Sequence, residues 1–306
     1  MRPLLFALLL ALPACAHSQA TPAPAPSPSA VNAARADLPS LQRTLDSLAG
    51  AHHGVVGYTV HNLDTGERIE RRGDETFPTA SLIKVAILVT LYDRVAKGEL
   101  SLDDPIIVTK VDKVPGSGEL QFLHDNIQVT VADAARLMTT ISDNTATNLL
   151  LDKVPFRKVW EKMEALGLPH TKVHSKSFQR FTSVAMDSSA KYGLGVTTPN
   201  EMARLFALLA EGKAVSPAAD SAMLATLADN EDGQLLQRQV SGVRAPHKTG
   251  ATDSVRTECT LWYLQTRVAA CVLTKENQDT RWILDNEPQL LMSAMGRAIT
   301  GAWPRK

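Results

Sequence analysis

Phe77-Pro78-Thr79-Ala80-Ser81-Leu82-Ile83-Lys84-Val85-Ala86-Ile87-Leu88-Val89-Thr90-Leu91 places a serine at the head of a run that is apolar on nearly every helical face. A helix without a polar face is a buried one, so this stretch reads as a central helix around which the domain packs. Ser81 and Lys84 are three apart and share a helix face, which sets a hydroxyl beside an amine. Ser81 also falls at the helix N-terminus, where unpaired N–H groups and the helix dipole favour negative charge. A capping serine and a lysine snorkelling to the surface would use the same two residues, but a lone lysine in an apolar helix argues for a chemical pairing. A second Ser-x-x-Lys string, Ser188-Ser189-Ala190-Lys191, runs into Tyr192-Gly193-Leu194-Gly195 and reads as a loop.

Two more motifs follow in order: Ser142-Asp143-Asn144, 61 residues after Ser81, and Lys248-Thr249-Gly250, a further 106 on. Taken singly they are a helix cap and a strand end. Taken together they supply a nucleophile, a neighbouring lysine, a second hydroxyl with an amide, and a cationic strand. Those are the parts of a serine acyl-transfer site.

The surrounding pattern predicts the frame. Residues 41–48 read as a short helix, and 55–60 and 68–71 as strands joined by the turn Leu63-Asp64-Thr65-Gly66. Helical spacing persists from 130 to 168, and Thr197-Thr198-Pro199 caps a helix over 200–212. Strands return at 243–248, 257–264 and 268–273, before a last helix over 288–302. The fold class is therefore α+β: an antiparallel sheet built from N- and C-terminal strands, flanked by helices, with an inserted all-helical lobe. The three motifs would meet at the seam, where clefts form.

Of 306 residues 44% are hydrophobic, and Lys+Arg and Asp+Glu number 32 each. That balance argues against nucleic acid or an anionic membrane surface as the main partner; the protein is expected to act as a monomer. Residues 1–20 read as a signal peptide, with Arg2, an apolar core from Leu4 to Leu12 and small residues after it. Export to the periplasm or beyond follows, and Leu12-Pro13-Ala14-Cys15 leaves lipoprotein anchoring through Cys15 open. The apolar core is too short to span a bilayer, and no later transmembrane segment is expected. Residues 21–38 form a Pro/Ala/Ser-rich tether, and 39–306 a single catalytic domain. Cys259 and Cys271 suit a disulfide in an exported protein and two small buried hydrophobes equally well. His170 and His174 have metal-ligand spacing, but Pro169 puts them on a loop with no third ligand, so neither metal nor cofactor is expected. His247 alternates with Lys248 along its strand and should point away from the cleft.

Phe77-Pro78, Gly116-Ser117-Gly118, Ser142-Asp143-Asn144-Thr145-Ala146-Thr147-Asn148, Thr197-Thr198-Pro199 and His247-Lys248-Thr249-Gly250-Ala251 together resemble class A β-lactamases and their relatives among small penicillin-binding proteins. The resemblance covers nearly all of 39–306. It implies Ser81 as acylating nucleophile, Lys84 as its base or proton relay, and Ser142 as the hydroxyl that passes a proton to the leaving nitrogen. It implies that Asn144 orients Lys84 and holds the substrate amide. The Lys248-Thr249-Gly250 strand would grip the substrate carboxylate, with Arg256 as second anchor on a hairpin shorter than the family's. Backbone N–H groups of Ser81 and Ala251 would form the oxyanion hole. One departure matters: the family's deacylating glutamate, which lies in the loop before Thr197, is missing. Ungapped counting puts Thr182 in its place, and Asp187 is the loop's one acid and the candidate base. The expected activity is β-lactam hydrolysis through a Ser81 acyl-enzyme. The alternatives are a D-Ala-D-Ala carboxypeptidase or transpeptidase acting on peptidoglycan stems, and a β-lactam-binding protein that stays acylated.

Overall fold

Leu41, Leu45 and Ala49 recur every four residues and bury one face of α1 (Leu38–Ala51), whose N-terminus Asp37 caps by accepting from Ser40 N. The helix is longer at both ends than the 41–48 predicted. The computed structural model describes residues 36–305; the predicted leader, Cys15 and nearly all of the tether lie outside the described residues.

After α1 come β1 (Val55–Asn62), β2 (Arg68–Arg71) and β3 (Phe77–Pro78). A 3-10 turn over Ala80–Ile83 then runs into α2 (Lys84–Ala96). The inserted lobe follows: β4 (Pro105–Val108), β5 (Ile127–Thr130), α3 (Val131–Thr140), α4 (Asn144–Lys153) and α5 (Phe156–Ala165). Then come β6 (Lys172–Val173), α6 (Met186–Tyr192), β7 (Gly195–Thr197), α7 (Pro199–Ala210) and α8 (Pro217–Ala228). The chain closes with β8 (His247–Thr252), β9 (Val255–Tyr263), β10 (Arg267–Lys275) and α9 (Glu287–Ala302). Ser188 and Lys191 lie within α6, not a loop, because Gly193, at φ +67°, ends the segment as a helix instead of opening it earlier. The lobe is not all-helical, since β4 and β5 pair antiparallel inside it.

The main sheet is antiparallel in the order β2-β1-β10-β9-β8, so N-terminal strands sit beside C-terminal ones as the pattern predicted. Alternation along the strands sorts the core in two. Tyr58, Val60 and Trp262 face Leu45, Met292, Met295 and Ile299 of α1 and α9. Cys259, Leu261, Cys271 and Leu273 face the core shared with α2 and α7. Cys259 and Cys271 stand directly opposite on β9 and β10 and are joined as a disulfide, with Cα atoms 4.1 Å apart. β8 starts later than predicted because Pro246 has no N–H for the ladder; Arg244 and Pro246 still offer carbonyls to Tyr263 and Leu261.

Apolar burial makes α2 the hub. Val85, Ala86, Ile87, Leu88, Val89 and Leu91 are all buried, and with them Lys84. β8 is the sheet's edge strand, so alternate N–H and C=O groups along it are left unpaired by the sheet. That strand runs against the turn bearing Ser81. The approach is so close that a Cβ on Gly250 would stand 2.4 Å from Thr79 O and 2.8 Å from Leu82 N. Thr257, opposite Gly250 on β9, donates its hydroxyl to Thr79 O at 2.8 Å and fastens the turn to the sheet.

Candidate active site

Two lysines meet at one serine hydroxyl. Lys84 donates to Ser142 O at 2.6 Å, Ser142 Oγ at 3.1 Å and Asn144 Oδ1 at 3.0 Å. Lys248, from the facing sheet, donates to the same Ser142 Oγ at 3.1 Å and to Thr249 O at 2.9 Å. Each lysine is only 1% exposed. Removing a charged amine from water favours its neutral form. Desolvation, and then the neighbouring Lys248 cation, hold Lys84 well below the ordinary lysine range. Desolvation brings Lys248 down to about 8, opposed by the carboxylates of Asp232 and Glu258. As an ammonium, Lys84 spends all three N–H donors on the contacts above. As an amine it keeps two and gains the lone pair a general base needs.

Local sequence explains how the pieces are held. Asp143 caps α4 by accepting from Ala146 N at 2.8 Å, and its other oxygen takes Glu119 N at 2.8 Å and Leu120 N at 2.9 Å. The cap and the chemical motif are thus both present, on adjacent residues. Gly118, at φ +107°, lies so near that carboxylate that a Cβ would stand 2.2 Å from Asp143 Cγ. Ser142 itself takes φ +60°, and Ala80, just ahead of the nucleophile, φ +44°. Neither is glycine, so both conformations are held against steric cost by the surrounding contacts. Ser81 is half-buried in its turn, and its hydroxyl has no hydrogen-bond partner among the described residues.

The strand motif is anchored from behind. Thr249 donates to Asp232 Oδ2 at 2.7 Å. Glu258, wholly buried and paired with Thr249 across the ladder, accepts from Leu236 N at 2.6 Å and Gln237 Nε2 at 2.9 Å. Burial pushes its carboxyl up to about 8. Sequence reasoning missed Asp232 and Glu258; Asp232 lies in an acidic turn beside Glu231 and Glu258 is a lone acid in a strand, and only the fold brings them behind β8. Ala251 lies exposed at the outer end of β8. His247 turns away from Lys248, with its ring nitrogens 2.8 Å from Ala245 O and 3.2 Å from Asp232 O.

Arg256 is placed differently from a free carboxylate anchor. It is 2% exposed, its Nη1 donates to Thr252 O and Val255 O, and Trp282 lies over its guanidinium with 4.7 Å from Cζ to the ring centroid. Its Nη2 is buried without a partner. The loop before Thr197 also departs from the count. Thr182 is occupied within the loop, donating to Gln179 O at 2.7 Å and accepting from Lys176 N at 3.0 Å. Asp187 is solvent-exposed in the first turn of α6 and forms no hydrogen bond or ion pair among the described residues. The loop residues fastened to the site are instead Ser177 and Phe178. Asn148, one helical turn beyond Asn144, donates to Ser177 O at 3.1 Å and accepts from Ser177 N at 2.7 Å. The Phe178 ring lies against Gly116, where a Cβ would meet it at 3.0 Å and Asn144 Nδ2 at 2.7 Å. His170 bonds Glu201 at 2.6 Å and His174 contacts Gly193 O at 3.1 Å, so the two do not converge.

The comparisons agree with this geometry. A profile described as "Beta-lactamase enzyme family" matches residues 40–303. Beta-lactamase L2 of Stenotrophomonas maltophilia is 28% identical over 264 residues, 83% of this chain and 81% of its own. The crystal structure of a β-lactamase from Sphaerobacter thermophilus is 30% identical with a TM-score of 0.77, covering 88% of this chain and 99% of that one. PBP-A is 26% identical with a TM-score of 0.75, covering 87% and 96%. Profile, relatives and site geometry coincide over the whole catalytic domain: the chain belongs to the β-lactamase enzyme family and is a β-lactamase-like serine hydrolase.

Proposed function

We propose that the protein opens β-lactam amides by forming an acyl-enzyme on Ser81. The observation that carries this reading is the convergence of Lys84 and Lys248 on Ser142 Oγ, beside a nucleophile whose hydroxyl is uncommitted. Neutral Lys84 takes the Ser81 proton as Oγ attacks the lactam carbonyl. The oxyanion forms beside β8, where the Ser81 and Ala251 N–H groups are its donors; losing one such donor costs roughly 3 kcal/mol. Ser142 then passes its proton to the departing nitrogen and is resupplied from a lysine N–H at 3.1 Å. Asn144 and the Lys248-Thr249-Gly250 strand orient the substrate amide and carboxylate. Export through residues 1–20, with or without lipid on Cys15, completes the proposal.

A second reading has a specific observation behind it. The loop offers no glutamate, and Asp187 is exposed and uncommitted. Acylation has its full machinery, whereas hydrolysis of the ester has no evident base. A penicillin-binding enzyme acting on D-Ala-D-Ala stems fits that imbalance. A PBP-A variant is known as an acyl-enzyme complex with penicillin-G.

Intact-mass spectrometry of the protein with a penicillin, followed beside substrate absorbance, separates the two. Rapid substrate loss with little adduct supports the β-lactamase. A persistent adduct, absent in Ser81→Ala, supports the penicillin-binding enzyme. Neither adduct nor turnover would remove both.

A further inference from the structure

Beyond the Gly250-Ala251 end of β8 the cleft continues into a cavity of about 570 Å³, walled by Arg256 and by Trp282, Ile283 and Leu284 from the segment between β10 and α9. These three apolar side chains are 65%, 47% and 58% exposed, an unusual amount of apolar surface for consecutive residues. They are not loose. Trp282 Nε1 donates to Asp253 Oδ1 at 2.7 Å, and one face of its ring covers the Arg256 guanidinium. The other face is open. The acids on the same wall are committed elsewhere, Asp232 to the Thr249 hydroxyl and Asp285 to Arg238 at 2.7 Å. Arg256 has no ion pair among the described residues, and its buried Nη2 is unpartnered.

We propose that Trp282 is a specificity-determining residue, whose exposed face receives an aromatic or apolar substituent carried next to the carboxylate of an anionic acyl donor. The inference rests on the acyl-enzyme reading above. Position selects the substituent: a substrate with its carbonyl at Ser81 and its carboxylate at Lys248-Thr249 points the group beside that carboxylate past Gly250 and into this cavity. Chemistry selects its kind. An indole held in place at both its N–H and one face offers a flat stacking surface at little cost in freedom, and Ile283 and Leu284 extend it.

The test is the acylation efficiency of two cephalosporins that differ at C3, one carrying a non-departing aryl group and one a methyl, read as adduct growth together with substrate loss. Wild type should favour the aryl compound, and Trp282→Ala should lower that preference about fivefold. Trp282→Phe should keep most of it, which separates stacking from any general disturbance of the segment. An unchanged preference in Trp282→Ala, with both compounds still acylating Ser81, would overturn the inference and leave the acyl-enzyme reading standing. Neither adduct nor turnover of either compound in wild type would remove that reading, and the inference with it.

Discussion

The two sides of Ser81 are built to different standards. On the side of Lys84, Ser142 and Lys248, charged and polar atoms are buried and tied across three segments, with Asp143 and Thr257 fastening the loops and turn around them. On the side of the loop before Thr197, Ser177 Oγ is buried without a partner, Phe178 and Phe181 are exposed, and Asp187 stands in solvent. Preorganisation stabilises a transition state only where the donors are already fixed. On the proposed mechanism the acylating groups are tied to one another, whereas the loop is held by Asn148 at Ser177 and by Lys176 to Asp152 and leaves its one acid, Asp187, uncommitted.

The comparison is broken most directly at its strong side. Ser142→Ala should slow acylation about a hundredfold or more, because one hydroxyl links both lysines to the leaving nitrogen. Stopped-flow acylation that stayed within a few-fold of wild type would mean a lysine reaches the nitrogen unaided. The pH profile sharpens the same point. Acylation should rise with pH as Lys84 loses its proton, since desolvation and Lys248 depress it, and weaken by about tenfold as Lys248 discharges above about 8. A monotonic rise to pH 10 would show that the Lys248 charge is not what holds the carboxylate.

Stability should follow pH through the acid behind the strand. The Glu258 carboxyl is raised to about 8 in the fold, so its contribution is full below the ordinary glutamate range near 4.5 and is lost as pH rises through about 8. Thermal melts across that window should slope downward less in Glu258→Gln; an unchanged slope would assign the loss to other groups. The smallest effect belongs to the weak side. Asp187→Asn should leave the lifetime of the adduct within about twofold of wild type, and a much longer lifetime would restore Asp187 as the deacylating base.

The motifs were legible because their chemistry depends on spacing that a sequence prints. Ser81 and Lys84 fall three apart at one helical start, Ser81 in the 3-10 turn and Lys84 as the first residue of α2, and Lys248, Thr249 and Gly250 share a strand. The sheet was legible from apolar runs at both ends of the chain, but its strand order, with β1 beside β10, was not. Contacts between segments far apart left no such trace. Nothing local in Asn148 or Ser177 announces that they bond across 29 residues, nor in Gln237 and Glu258 across 21. Ungapped counting to Thr182 carries no such information either: a count measures chain, whereas the loop is fastened wherever a side chain reaches its backbone. Arg256 was found by the count as well, but its burial under Trp282 depends on a segment 26 residues later that no motif marks.

Ala80 and Ser142 sit at φ +44° and +60°, one on either side of the reacting atoms. Left-handed backbone at a non-glycine residue costs on the order of 1 kcal/mol. A search for thermostable variants would therefore be drawn to these two positions, where glycine relieves the steric clash. It would find melting temperature and turnover pulling in opposite directions, because glycine at Ala80 no longer aims the Ser81 hydroxyl and glycine at Ser142 deletes the hydroxyl shared by Lys84 and Lys248. The same molecule evolved only for durability would drift away from its chemistry at Ala80 and Ser142 first.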